Sequence, residues 1–302
     1  MDFALSDEQE QLRDAARELL ARECPSERVR KIMQGESGSD PELQRVFAEA
    51  GWLGILVPEA LGGTGLALLD AAVLLEEMGR AALPGPFLAS SVAAVIALRE
   101  AGSVEQQRTW LPRIAKGDAV ATLAFAEGPE ARFDGTGVAA RASRRRGGFR
   151  LEGTKLFVEH AGLADLVLVA ARTGAARGDR SGIELFALPR GTRGMRAAPL
   201  VSVDETRRPC ELRLRGVELP ASARLAGRGR AARDRALRRV LDACAVAVAA
   251  DSLGGAERAL ELAVGYVKVR EQFGRPVGSF QAVQHMAAEA AARIEPARAL
   301  LW

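Results

Sequence analysis

In 302 residues there are only three cysteines, two histidines, one tyrosine and three tryptophans, so the side chains that most often carry metal, redox or stacking chemistry are scarce. Cys24, Cys210 and Cys244 are odd in number and far apart, which argues against a disulfide framework. His160 and His285 cannot complete a typical zinc site with them. No uninterrupted apolar run reaches the ~18 residues of a membrane span. The acidic start MDFALSDEQEQ lacks the basic region of a signal peptide. A cytoplasmic chain with no membrane partner is therefore expected. The commonest nucleotide and hydrolase signatures are also missing. The run GGTGLAL at Gly62 lacks the third glycine and the preceding strand of a dinucleotide fingerprint, and neither G-x4-G-K-[ST] nor G-x-S-x-G occurs.

What is present suits a globular protein of two or three domains, with 48% hydrophobic and 27% charged residues. The net charge of +3 is unevenly spread. Residues 1–115 hold 11 Lys+Arg against 18 Asp+Glu, and residues 116–302 hold 31 against 21. A basic second part favours anionic, phosphate-rich ligands.

The chain reads as α+β in three parts. Residues 1–117 form helices: Ser6 with Gln9 is a capping box, Asp40-Pro41 opens a helix that Gly51 closes, and Trp52, Leu53, Ile55 and Val57 are expected to be buried. Helices are expected at about 66–80, 88–101 and 104–116. Residues 118–225 alternate with period two and form a small sandwich- or barrel-like β domain. Its strands are expected at 120–126, 137–142, 149–152, 155–158, 166–171, 183–188 and 209–219, with Arg144, Arg145 and Arg146 at a hairpin tip. Residues 226–302 return to an antiparallel helical bundle, with one helical pattern over 230–272 and another over 281–302. Leu237, Val240, Leu241, Cys244 and Val248 take core spacing on the first. Arg228, Arg230, Arg233, Arg235, Arg238 and Arg239 crowd its start.

The run from Tyr266 to Ala288 carries Tyr266, Arg270, Phe273, Gly274, Gln281, Gln284 and His285 in a Y-x3-R-x-x-F-G-x6-Q-x-x-Q-H order. It resembles the acyl-CoA dehydrogenase family, FAD-dependent enzymes that desaturate acyl thioesters. The resemblance implies that Arg270, Gln272, Phe273 and Gln281 reach the FAD of a neighbouring subunit. A guanidinium offers a planar fork of donors to phosphate oxygens, which suits that role. The run TLAFAEGPEARFDG resembles the family's flavin loop and GTKLFVEHAG the segment behind the flavin ring, which implies ring contacts at Ala126, Phe157, Val158 and Glu159. Counting back from Phe273-Gly274 aligns Asp242, Cys244 and Ala245 with substrate-contacting positions.

Four departures bear on activity. Ala126 stands where the family has a threonine, Glu159 where it has threonine or serine, and Ala245 where an arginine is usual. Cys244 occupies the position of the catalytic glutamate in a minority of members. In most members that glutamate lies in a final helical segment beyond Trp302, so the C-terminal domain is read as incomplete, leaving Asp242 and Glu159 as the candidate carboxylates. Two readings follow from the resemblance. One is an FAD-dependent acyl-CoA dehydrogenase of fatty-acid or lipid metabolism, working as a homodimer or homotetramer on an acyl-CoA. The other is a non-catalytic subunit of a heteromer that completes a partner's FAD site. Nucleic-acid binding through the arginine clusters is a remote third, because aromatic residues do not interleave with them.

Overall fold

The computed structural model describes residues 4–128, 137–174, 182–225 and 230–302. In chain order the first helices are α1 (Asp7–Glu23), α2 (Ser26–Gln34), α3 (Pro41–Glu49), α4 (Leu68–Arg80), α5 (Val95–Ala101) and α6 (Val104–Ala115). The strands β1 (Ala121–Ala124), β2 (Arg141–Arg145), β3 (Gly148–Glu159), β4 (Leu166–Arg172), β5 (Ile183–Pro189), β6 (Met195–Pro199) and β7 (Pro209–Pro220) follow. The chain then forms α7 (Arg230–Val269), β8 (Glu271–Gln272), β9 (Arg275–Pro276) and α8 (Gln281–Leu301). This is the expected α+β fold, with helices on either side of a sheet segment in sequence. Arg228 lies outside the described residues.

The chain folds as two compact units. Met1–Val29, Leu69–Leu83 and Val246–Trp302 make the first. Here the Ser6–Gln9 capping box opens α1. Helices α4 and α7 meet backbone to backbone, since a Cβ added at Gly79 would fall 1.8 Å from the Asp251 carbonyl oxygen and one at Gly254 would fall 1.7 Å from that of Glu76. So close a crossing requires glycine on both helices. Around it runs an ionic network: Arg17 grips Glu77 through two hydrogen bonds of 2.9 and 2.7 Å. Arg298 of α8 reaches both Glu76 and Glu257 at 3.1 Å. Burial raises the Glu76 carboxyl pKa, and Arg298 pulls against that rise. No residue of α8 is buried. Val248, expected in the core, is half exposed.

Arg30–Leu68 and Pro84–Ala245 make the second unit. Asp40 caps α3 by accepting from the Glu42 and Leu43 amides, as its place before Pro41 led us to expect. Trp52, Leu53, Ile55 and Val57 are buried, with Trp52 stacked on Phe47 at 5.1 Å. Residues Leu88–Ala94, expected to begin an ordinary helix, wind as a π-helix. The Ser90 hydroxyl there accepts from the Ala121 amide at 3.0 Å, joining the widened turn to the first strand.

The strands form one curled sheet in the order β1-β4-β2-β3-β7-β6, with β5 on the free side of β4. Phe149, Leu151, Val169, Phe186, Leu188 and Leu212 fill its core. The expected breaks differ in three places. The two strands expected at 149–152 and 155–158 are one, because Gly153 (φ 146°) lets the ladder shift register and continue. β2 begins at Arg141 and runs through Arg145, leaving Arg146 and Gly147 as a two-residue turn. β6 was not foreseen, since its residues are exposed apart from the partly covered Met195 and lack apolar alternation.

Candidate functional site

In the second unit, the ends of β1 and β3 bring several of the predicted residues together. β3 shifts register a second time between Lys155 and Val158. At that bulge Phe157 takes φ 56°, a left-handed conformation that costs a non-glycine residue about 1 kcal/mol or more. The residue is 53% exposed, whereas Val158 beside it is wholly buried. The Leu156 amide donates to the Ala126 carbonyl oxygen at 2.8 Å, so the turn after β1 lies alongside Phe157. A further hydroxyl, that of Thr122, donates to the Glu159 carbonyl oxygen at 2.7 Å.

A buried ion pair fixes this arrangement. Lys155, fully buried, donates to the Phe125 carbonyl oxygen at 3.1 Å and to the Glu127 carboxylate. Glu127 also accepts from the amides of Ala139 at 2.7 Å and Ala140 at 2.9 Å. Burial pulls the Lys155 ammonium pKa down to about 8, and Glu127 opposes the fall. The pair clasps the Phe125–Glu127 turn from both sides. The later part of the run TLAFAEGPEARFDG lies outside the described residues.

Around Glu159 the charges are mixed. The Arg207 guanidinium stands 3.9 Å from its carboxylate. Next in sequence, His160 is buried with φ 52°, and burial together with Arg207 and Arg208 takes its imidazole pKa down to about 4 against the backbone of Gly85. Cys244 is buried, and burial with a smaller push from the Glu159 carboxylate raises its thiol pKa to about 12. A thiol held protonated in this way is neither a base nor a nucleophile near neutral pH. Asp242 and Ala245, on the same helix, are exposed.

In the first unit, α7 stops at Val269 rather than running to 272, and the next residues form a small hairpin. Phe273 (φ 55°) and Gly274 (φ 76°) occupy its two turn positions between β8 and β9, as in a type I′ turn. The Val277 amide closes the hairpin on the Arg270 carbonyl oxygen at 2.7 Å. Phe273 is 92% exposed and meets Phe280 edge-on at 6.0 Å, while the Arg275 guanidinium lies 4.2 Å from the Phe280 ring centroid. Gln272 donates to the Glu271 carbonyl oxygen at 2.8 Å. Arg270 and Gln281 are exposed, and Arg270 has no carboxylate partner among the described residues.

The acyl-CoA dehydrogenase N-terminal, middle and C-terminal domain models match residues 6–118, 122–217 and 234–302. The chain belongs to the acyl-CoA dehydrogenase family. It is 31% identical over 298 residues to acyl-CoA dehydrogenase IpdE2 of Mycolicibacterium smegmatis, covering 98% of this chain and 76% of the relative. It is 30% identical over 309 residues to the acryloyl-CoA reductase (NADH) of Anaerotignum propionicum, covering 100% and 76%. Among solved structures, the ChsE4-ChsE5 complex from Mycobacterium tuberculosis superposes with a TM-score of 0.88 at 28% identity, covering 100% of this chain and 78% of that one. PigA, solved with FAD and proline, superposes with a TM-score of 0.87 at 26% identity, covering 100% and 79%.

Sequence reasoning about this acyl-CoA dehydrogenase family member missed Thr122, Glu127, Lys155 and Arg207. One signal was available. Lys155 falls on the inward side of an alternating strand, where a cation requires a nearby carboxylate, but the partner lies 28 residues away in a loop.

Proposed function

We propose that the chain binds FAD and serves the α,β-desaturation of an acyl-CoA thioester. The observation that carries this reading is Phe157, a strained, half-exposed aromatic side chain on a backbone that a buried ion pair holds in place. Strain of that kind persists where surrounding structure over-determines it, typically at ligand sites. A flat apolar ring beside the backbone of Ala126 and Val158 suits a planar tricyclic ring, and Arg270 suits the pyrophosphate of a neighbouring subunit's FAD. Glu159 would oppose negative charge on a reduced ring, but the nearby Arg207 offsets it. When bound, FAD supplies the hydride acceptor.

The chain's own part is to orient the thioester and take the α-proton. Cys244 cannot serve as the base, because its thiol stays protonated. Asp242 and Glu159 are the carboxylates proposed for it, with Cys244 and Ala245 lining the acyl chain. The test is flavin absorbance of the purified chain with added FAD, together with exchange of acyl-CoA α-protons in deuterium oxide. Flavin binding with exchange that Glu159→Gln or Asp242→Asn abolishes supports the reading. Absence of both overturns it.

The loss of usual side chains at Ala126, Cys244 and Ala245 favours a second reading, in which the chain is the non-catalytic subunit of a heteromer. Its exposed Arg270–Gln281 hairpin would then complete a partner's FAD site. Supporting this, a similar structure is a complex of two named components, ChsE4 and ChsE5. A chain that binds no FAD alone but restores flavin binding to a co-expressed acyl-CoA dehydrogenase subunit would decide for it.

A further inference from the structure

Apart from Phe157 at the end of β3, one face of the sheet has no part in the site above. Along β2, β3, β7 and β6 the outward residues include Arg141, Arg145, Arg150, Arg196, Arg213 and Arg215, all exposed. Three glutamates share that face, and each already has an arginine. Glu152 and Glu218 pair with Arg150 at 3.2 and 3.9 Å, and Glu211 pairs with Arg213 at 3.2 Å. Arg141, Arg145, Arg196 and Arg215 have no carboxylate partner among the described residues. The register also sets Arg196 directly opposite Arg213. Glu211 already lies against Arg213, so Arg196 is the member of this pair left without a carboxylate, and an anion lying over it offsets what remains of the like-charge cost.

The hairpin of β6 and β7 adds a second, independent feature. Its connecting loop holds Val201 and Val203, both fully exposed. Two carboxylates follow, of which Asp204 is tied into the loop by the amide and hydroxyl of Thr206 at 2.9 and 2.6 Å. A basic shaft with an apolar tip suits a surface that is anionic outside and apolar just beneath. Nucleic acid offers the charge but nothing for the valines. A tight protein interface requires buried aromatic anchors, and among the described residues the arginine face has none beyond Phe157 at the end of β3.

We propose that the β6–β7 hairpin and the sheet face behind it dock on an anionic lipid bilayer. Arg196 and Arg215 meet headgroup phosphates and carboxylates, and Val201 and Val203 enter the headgroup boundary. The contact is peripheral, since no described helix is long and apolar enough to cross a membrane. It departs from the expectation, drawn from the lack of an apolar span, that the chain has no membrane partner.

Co-sedimentation of the 302-residue chain with vesicles tests this. Phosphatidylserine–phosphatidylcholine vesicles are compared with pure phosphatidylcholine at about 0.1 M salt. Binding is expected to the anionic vesicles alone. Neutralising both arginines in Arg196→Gln/Arg215→Gln weakens it by about 25-fold, roughly five-fold for each charge. Val201→Ser/Val203→Ser also weakens it, while Arg108→Gln, an exposed arginine on α6, does not. Circular dichroism of each variant verifies the fold. Equal binding to neutral vesicles, no binding to anionic ones, or an equal loss with Arg108→Gln overturns the proposal. Tighter retention on duplex DNA that the valine pair does not alter overturns it in favour of a nucleic acid.

Discussion

Among the described residues two phenylalanines sit at positive φ, and they are held there by opposite means. Phe157 lies at the end of a long central strand, and its backbone is set by tertiary contacts: the register shift, the Ala126 carbonyl and the buried Lys155–Glu127 pair. Phe273 lies in a hairpin of six residues, and its backbone is set by its own turn and one hydrogen bond from Val277. The first conformation therefore depends on the core of its unit. The second depends only on neighbours in sequence. A ligand surface built the first way shares the stability of the whole unit, whereas one built the second way can be changed without unfolding anything.

The largest test of that contrast is to cut the clasp. Lys155→Met leaves Glu127 nearly buried without its cation and is expected to destabilise the chain by about 3–5 kcal/mol. In denaturant titration, the double variant Lys155→Met/Glu127→Gln should recover a large part of that loss. If the double variant is no better than the single one, the pair is not the unit that holds the turn.

Acid provides the next test. The folded His160 imidazole takes a proton near pH 4, the unfolded one near pH 6.5, so between these values the unfolded chain binds more protons. Stability is present above about pH 6.5 and is lost as the pH falls toward 4, by about 3 kcal/mol. Melting temperatures of the wild type and of His160→Gln across this window should converge on acidification. Parallel curves would show that the ring is not held neutral.

On the hairpin side, Arg270→Ala should leave the melting temperature within about 1 °C, since exposed substitutions change stability little. It should weaken FAD by roughly 10–100-fold, in line with the loss of a charge-assisted hydrogen bond. Unchanged FAD binding, measured by fluorescence titration, would remove Arg270 from the site. The smallest effects are expected from glycine at the two strained positions. Both Phe157→Gly and Phe273→Gly relieve a left-handed side chain, so each should alter stability by under about 1 kcal/mol. FAD affinity then separates packing from contact: loss with a preserved melting temperature marks contact, and loss of both marks packing.

The family, the helix–sheet–helix order and most element positions were legible in the sequence, because caps, alternation and the motif from Tyr266 to Ala288 are local patterns. Cys244 is instructive in the other direction. Its alignment suggested a weak replacement for a carboxylate, and only burial beside Glu159 makes it a thiol that stays protonated. Likewise Glu159 alone reads as an obstacle to a reduced flavin, and the nearby Arg207 alters that reading.

What the sequence determined by itself is everything set by period and by short-range hydrogen bonding: the Ser6–Gln9 capping box, the buried tryptophan turn, the strand alternation and the motif that names the family. The tertiary structure alone decided the unbroken β3, the Lys155–Glu127 clasp, the glycine-on-glycine crossing of α4 and α7, and the arginine face of the sheet. Each of these depends on atoms far apart in the chain meeting within a few ångströms. Period and propensity carry no information about such distances.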